Sequence, residues 1–237
     1  MITKIQLYHM YNVARVFQHP VKKRPIKREP GQLRDDRLFY VACDDTYAPK
    51  QYFDSFELPR VQIHVVPTVD GTSVAARVLE RLEAFECDPD DERWMLLDTD
   101  HCLPGTHMQG FLGAIKEARR RGVRVALSKP CFEVWLLMHH LIDLTQLSKI
   151  DQAKDVNNML REVLGEYNKT KVRGELFPLE CVVDAYERAL VTDRSVAGGD
   201  APEGVTTRVY QLWHSIVSKA LPSQLPEVLR RILELGV

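Results

Sequence analysis

The chain has 237 residues, 45% hydrophobic and 27% charged, which is enough to build a core and excludes both an intrinsically disordered protein and a large multidomain machine. Thirty-two Lys and Arg stand against 33 Asp and Glu, a formal charge of −1, so there is no global basic field and any nucleic-acid contact must use local patches. The five cysteines, Cys43, Cys87, Cys102, Cys131 and Cys181, are scattered without a Cys-x-x-Cys pair, which excludes the common zinc spacings and fits a reducing compartment.

The first residues, MITKIQLYHMYNVARVF, carry no long apolar stretch and no small-residue cleavage pattern, and no segment reaches the roughly 18 apolar residues of a membrane span. The expectation is a soluble, cytoplasmic protein with no membrane contact. Residues 22–37 then shift composition, with prolines and Gly31 interrupting a dense charged run. This is an extended arm: either a solvated linker, or a place where Lys22, Lys23, Arg24, Lys27 and Arg28 touch phosphates or an acidic partner.

LFYVAC, residues 38–43, is a short apolar run ended by Asp44 and Asp45, the pattern of a buried strand, and VQIHVV, 61–66, is a second. After the turn signal Asp70-Gly71, Val74, Val78, Leu79, Leu82 and Phe85 recur at helical spacing. WMLL, 94–97, supplies a third strand. A helix over 106–121 follows, with Met108, Phe111, Leu112 and Ile115 on one face, Arg119, Arg120 and Arg121 complementing the dipole of its last turn, and Gly122 as its stop. VRVAL, 123–127, is a fourth strand, and Pro130 opens a further helix through CFEVWLLMHHL.

Strands alternating with amphipathic helices predict a mostly parallel α/β sheet through about residue 140. Beyond it the pattern turns helical, over about 151–166, 180–190, 206–220 and 225–235, with the Gly-rich stretch SVAGGDAPEG between two of these. The organisation is thus an N-terminal segment with a basic arm (1–37), an α/β core (38–142) and a helical C-terminal region (143–237).

Two acidic clusters directly follow predicted strands: Asp44 with Asp45, and Asp98 with Asp100. Ligands of open parallel sheets bind at strand carboxyl ends, and carboxylates converging there form a hard oxygen site suited to Mg²⁺ or Mn²⁺. A metal so placed serves phosphoryl chemistry by activating water and stabilising developing charge. The plainer reading keeps Asp98-Thr99-Asp100 as a turn or helix cap and leaves Asp44 and Asp45 as mutually repelling, solvent-facing groups.

ALSKPCFEVWLLMHH, residues 126–140, resembles the Ser-Asn-Pro-Cys-Phe-Glu-Leu-Trp-Leu-Leu-His signature of the RloB family of bacterial defence-associated proteins, whose core is similar to the Toprim nuclease fold. WMLLDTDH, 94–101, looks like that family's aspartate-x-aspartate strand end, and VACDDTYAPKQYF, 41–53, takes the place of its Cys-Glu-Gly segment. GEYNK, 165–169, and TTRVYQL, 206–212, are weaker echoes. The resemblance runs in order from about residue 38 to 215. It implies a Toprim-like, mostly parallel α/β sheet flanked by helices, with a C-terminal helical extension.

The implied activity is Mg²⁺- or Mn²⁺-dependent cleavage of DNA or RNA, as the effector of an antiphage system with an ABC-type (OLD-like) ATPase partner. By resemblance Asp98 and Asp100 are the metal-binding pair, Asp44 replaces the strand-end glutamate as ligand or general base, Glu133 joins or orients the site, and Lys169 contacts phosphate. His139 and His140 are assigned structural or partner roles, and Phe132, Trp135 and Leu136 the core. No Gly-x-x-x-x-Gly-Lys-Ser/Thr loop is present, so ATP belongs to the partner.

The chain departs from the family pattern at three points. Asp44 and Asp45 stand where glutamate and glycine are expected, Pro49 stands near a further expected glutamate, and Lys129 stands for asparagine. Asp is one methylene shorter than Glu, and a side chain at the glycine position crowds a phosphate and adds charge. Two readings therefore stand side by side: a working nuclease, and a degenerate Toprim-like scaffold that docks on the ATPase or holds nucleic acid without cutting it. The residues do not discriminate DNA from RNA, and a homo-oligomer remains open.

Overall fold

The computed structural model describes residues 36–68, 73–101 and 106–236. The basic arm with Lys22, Lys23, Arg24, Lys27 and Arg28, the Asp70-Gly71 turn and Cys102 lie outside the described residues. The strands β1 (Arg37–Cys43), β2 (Val61–Val66), β3 (Glu92–Asp98) and β4 (Arg124–Lys129) pair in parallel in the order β2-β1-β3-β4. Six of the seven residues of β1 are buried. That is why the run LFYVAC shows no alternation: a central strand of a parallel sheet is covered on both faces.

Helix α1 (Ala48–Asp54) joins β1 to β2, α2 (Ala75–Glu83) joins β2 to β3, and α3 (Thr106–Arg120) joins β3 to β4. The spacing argument finds the last two. In α2, Val78, Leu79 and Leu82 face the core, while Val74 precedes the helix and is exposed. In α3, Phe111 and Ile115 are buried and Leu112 is exposed, so the buried stripe runs through Ala114 and Ala118 instead. Helix α1 is absent from the sequence expectation because it has only seven residues. Its signs are Pro49 in the first turn and the buried pair Tyr52 and Phe53.

The helix expected to open at Pro130 begins three residues later, as α4 (Glu133–Met138), with all six residues buried. The Pro130 carbonyl instead accepts the Thr99 and Asp100 N–H groups, both at 3.0 Å. Helices α5 (Ala153–Leu164), α6 (Leu179–Ser195), α7 (Val209–Lys219) and α8 (Glu227–Leu235) follow. A capping box of Gln152 and Asp155 starts α5, and Gly165, at φ 80°, ends it, trimming the expected 151–166 at both ends.

The expected helix over 206–220 starts late for a different reason. Thr206 and Thr207 form β5, antiparallel to β4, with Ser128 opposite Thr207 and their hydroxyls 2.9 Å apart. The C-terminal region thus supplies the fifth strand of the sheet, and its helices share one hydrophobic core with the strands. At the centre of that core the Trp213 Nε1–H donates to the Tyr52 hydroxyl at 3.1 Å, and that hydroxyl meets Nε2 of buried His139 at 3.1 Å. No helix among the described residues is long and apolar enough to cross a membrane.

Candidate functional site

Parallel pairing puts the carboxyl ends of β1, β3 and β4 on one edge of the sheet. Asp44 is the first residue past β1 and Asp98 is the last of β3. The two are locked together, the Asp98 N–H donating to Asp44 Oδ2 at 2.9 Å. Asp98 is buried and sits opposite Ser128 of β4. Asp100 lies on the turn that follows, held in place by the Pro130 carbonyl and by the Thr99 N–H donating to the Ser128 carbonyl at 3.1 Å. Its carboxylate is 3.3 Å from His101 Nε2.

Glu133 enters from the start of α4 and is 1% exposed. Its Oε1 accepts a 3.3 Å hydrogen bond from the Tyr167 hydroxyl and lies 3.8 Å from the Lys169 ammonium, while its Oε2 is buried with no partner. A buried carboxylate oxygen without a donor is costly unless something else meets it. Lys169 follows α5 and forms its closest ion pair with Asp45 Oδ2, at 2.8 Å. The other Asp45 oxygen accepts the Tyr47 and Ala48 N–H groups at 2.6 and 3.0 Å, closing the amino end of α1.

The electrostatics match this crowding. Burial, then repulsion from Asp100 and Asp45, drives Asp44 from 3.8 up to about 7, against the opposing pull of the Asp98 N–H and its own. Asp98 is raised by burial and by Asp44, Glu133, Asp100 and Asp45 together. Burial works against the charge on Lys169, yet Glu133 and Asp45 outweigh it and hold the ammonium protonated. Burial and Glu133 likewise keep the Tyr167 hydroxyl protonated.

Asp44, Asp98, Asp100, Glu133 and Lys169, far apart in sequence, are thus electrostatic neighbours at one end of the sheet. His139 and His140 are not among them. Burial lowers both, with Arg188 as a charged neighbour of each, and His139 packs among Tyr52, Trp135 and Phe177. Two residues of the site escape the sequence reasoning. Asp45 is buried and doubly engaged, against the plainer reading of a solvent-facing carboxylate. Tyr167 lies within the GEYNK stretch, but nothing in that stretch marks it as the donor to Glu133.

A family model described as RloB-like protein matches residues 39–216. The chain belongs to the RloB-like family. No curated protein matches it, and neither does any solved structure. The matched span of this RloB-like chain runs from β1 into α7 and contains every residue of the acidic cluster.

Among the described residues, no three His, Cys, Asp or Glu side chains close around a point as a finished metal cage. The donor set still suits a hard divalent cation. It is rich in carboxylate oxygens, burial and neighbouring carboxylates raise both strand-end aspartates above the ordinary carboxylate range, and one buried oxygen has no donor. A cation placed among them would offset the repulsion and meet the unpartnered oxygen.

Proposed function

We propose that this RloB-like protein is a Toprim-like, Mg²⁺- or Mn²⁺-dependent phosphodiesterase that cuts DNA or RNA, acting as the cytoplasmic effector of an antiphage system beside an ABC-type ATPase. The observation that carries this reading is the coupling of Asp44 to the Asp98 backbone at adjacent strand ends, with the free oxygen of Glu133 buried among the same carboxylates. Asp44, Asp98 and Asp100 would hold the ion. When bound, the ion lowers the pKa of the attacking water and offsets the charge growing on the displaced oxygen.

The chain's own groups do the rest. Asp44 is a ligand or the base that takes the proton of the water. Glu133, fixed through Oε1 by Tyr167 and Lys169, orients the cluster. Lys169 has three N–H donors, its ammonium meets Asp45 at 2.8 Å and lies 3.8 Å from Glu133, and its side chain is 47% exposed. An ammonium held by one close partner keeps donors available to a phosphate oxygen.

Asp45 bears on whether the departures from the family pattern disable the site. Its carboxylate turns into the amino end of α1 and onto Lys169, so its charge is compensated, which supports a working site. A second reading, a scaffold that docks on the ATPase without cutting, draws on Lys169 already standing inside the cluster.

The test is cleavage of plasmid, single-stranded DNA and structured RNA with Mg²⁺ or Mn²⁺, alone and with the ATPase subunit, comparing wild type with Asp98→Asn. Metal-dependent cutting lost in the variant is the expected result. Cutting that survives Asp98→Asn combined with Asp100→Asn overturns the assignment, and inactivity of the wild type even with its ATPase and ATP favours the scaffold.

A further inference from the structure

Tyr47 is the one exposed ring among the described Phe, Tyr and Trp residues, with 45% of its surface open to solvent, whereas Tyr40, Tyr52, Tyr167, Tyr186 and Tyr210 are buried. Among the described residues it packs against no other ring, and its hydroxyl has no hydrogen-bond partner. A single exposed tyrosine is ordinary on a protein surface; its place sets this one apart. It lies three residues past Asp44, between β1 and α1, and its N–H donates to Asp45 Oδ1 at 2.6 Å. The other oxygen of the same carboxylate holds the Lys169 ammonium at 2.8 Å. Buried Asp45 thus anchors both a half-exposed cation and the backbone of an exposed aromatic residue beside the acidic cluster. Buried Ala48 and Pro49 follow directly in the first turn of α1 and fix the backbone on the other side. The ring therefore has only its two side-chain torsions to order on binding.

The charge balance gives that ring a task. Asp44, Asp45, Asp98, Asp100 and Glu133 repel phosphates, and Lys169 is the only Lys or Arg among the described residues within ion-pair reach of them. A strand crossing this edge of the sheet needs a source of affinity besides charge. Sites for single strands combine cations that track the backbone with aromatic rings on which bases stack, and stacking is open only to a base whose face is not already covered in a duplex. We propose that Tyr47 is a stacking platform for an unpaired base of the substrate strand, with Lys169 on the phosphate beside it, so that the site takes single-stranded DNA or RNA in preference to duplex. This deepens the nuclease reading above and rests on its placing nucleic acid at this edge. Tyr47 sets which substrate enters and takes no part in the chemistry.

Fluorescence anisotropy on the full chain tests this, in Ca²⁺ and with the strands checked on a gel for intactness. The probes are a labelled DNA strand, its RNA counterpart, duplexes of the same length and a fully abasic strand. Wild type is expected to bind the single strands more tightly than the duplexes. Tyr47→Ala should weaken single-strand binding about 5- to 150-fold, the range that stacking of one base spans. Its duplex binding and salt dependence should stay as in wild type, because no phosphate contact is lost. Tyr47→Phe and Tyr47→Trp should stay within about threefold of wild type, since both keep a ring face. Removing the bases should cost wild type more than it costs Tyr47→Ala, a coupling that a merely structural role would not produce. Single-strand affinity unchanged in Tyr47→Ala, Tyr47→Phe as weak as Tyr47→Ala, or wild type preferring duplex overturns the inference and leaves the nuclease reading intact. The expected stacking pattern without any metal-dependent cutting upholds the inference and transfers the site to the scaffold reading. Wild type that binds neither strand nor duplex overturns both.

Discussion

Removing the charge of Asp44 should stabilise the metal-free protein, and only at the pH where that charge exists. Asp44 is pushed from 3.8 in the free state to about 7 in the folded chain. A carboxyl whose folded pKa is raised binds its proton more tightly when folded, so its contribution to stability is fully present below the unfolded value near 4 and is lost as pH climbs through about 7. A shift of about three pKa units corresponds to about 4 kcal/mol at most, and the remaining access of Asp44 to water cuts this to about 2 kcal/mol.

Asp44→Asn keeps an oxygen to accept the Asp98 N–H and deletes the repulsion with Asp98, Asp100 and Asp45. In EDTA at pH 8.5 the variant should therefore unfold about 4–8 °C above wild type, given about 2–4 °C per kcal/mol for a chain of this size. At pH 5 the gap should narrow to less than half, because Asp44 is then protonated in the folded wild type and only the ionised unfolded chain still favours unfolding. Asp98 is raised by the same neighbours and titrates with Asp44 as a pair, so the midpoint of the pH profile belongs to both groups. Thermal or urea unfolding at the two pH values is sufficient. A variant no more stable than wild type at pH 8.5, or one equally stabilised at both pH values, refutes the reasoning.

Asp45→Ala should cost about 1–2 kcal/mol in urea unfolding, because two N–H groups at the start of α1 lose their acceptor; a neutral outcome would mean that water caps the helix as well. Tyr52→Phe should cost about 2–4 kcal/mol, since it strands the Trp213 N–H and the His139 Nε2 in the core, and a cost below about 0.5 kcal/mol would show that the network contributes nothing to stability. The same Tyr52 variant should leave Mn²⁺ binding unchanged, because its partners are not among the acidic cluster, and a changed metal affinity would tie that network to the site.

The four parallel strands were legible because buried strands leave unbroken apolar runs, and the candidate carboxylates because Asp44, Asp98 and Asp100 stand immediately where those runs stop. Helix α1 was not, because seven residues give barely two turns of periodicity, and the Tyr47 and Ala48 N–H groups at its start are met by Asp45, two to three residues back. Thr206-Thr207 reads as the start of a helix because its two residues are too few to show alternation, and it is pairing with β4 that makes them strand. Lys169 could be named from the GEYNK stretch, but its partners could not. Asp45 and Glu133 lie 124 and 36 residues away in sequence, and only the packing of α4 against α1 and the segment after α5 brings the three charges into contact.

The central claim is that the carboxyl end of β1 and β3 holds a divalent ion, and anomalous diffraction from crystals grown with Mn²⁺ tests it most directly. The account predicts an anomalous peak beside Asp44, Asp98 and Asp100. A peak elsewhere on the molecule, or none at saturating Mn²⁺, contradicts it.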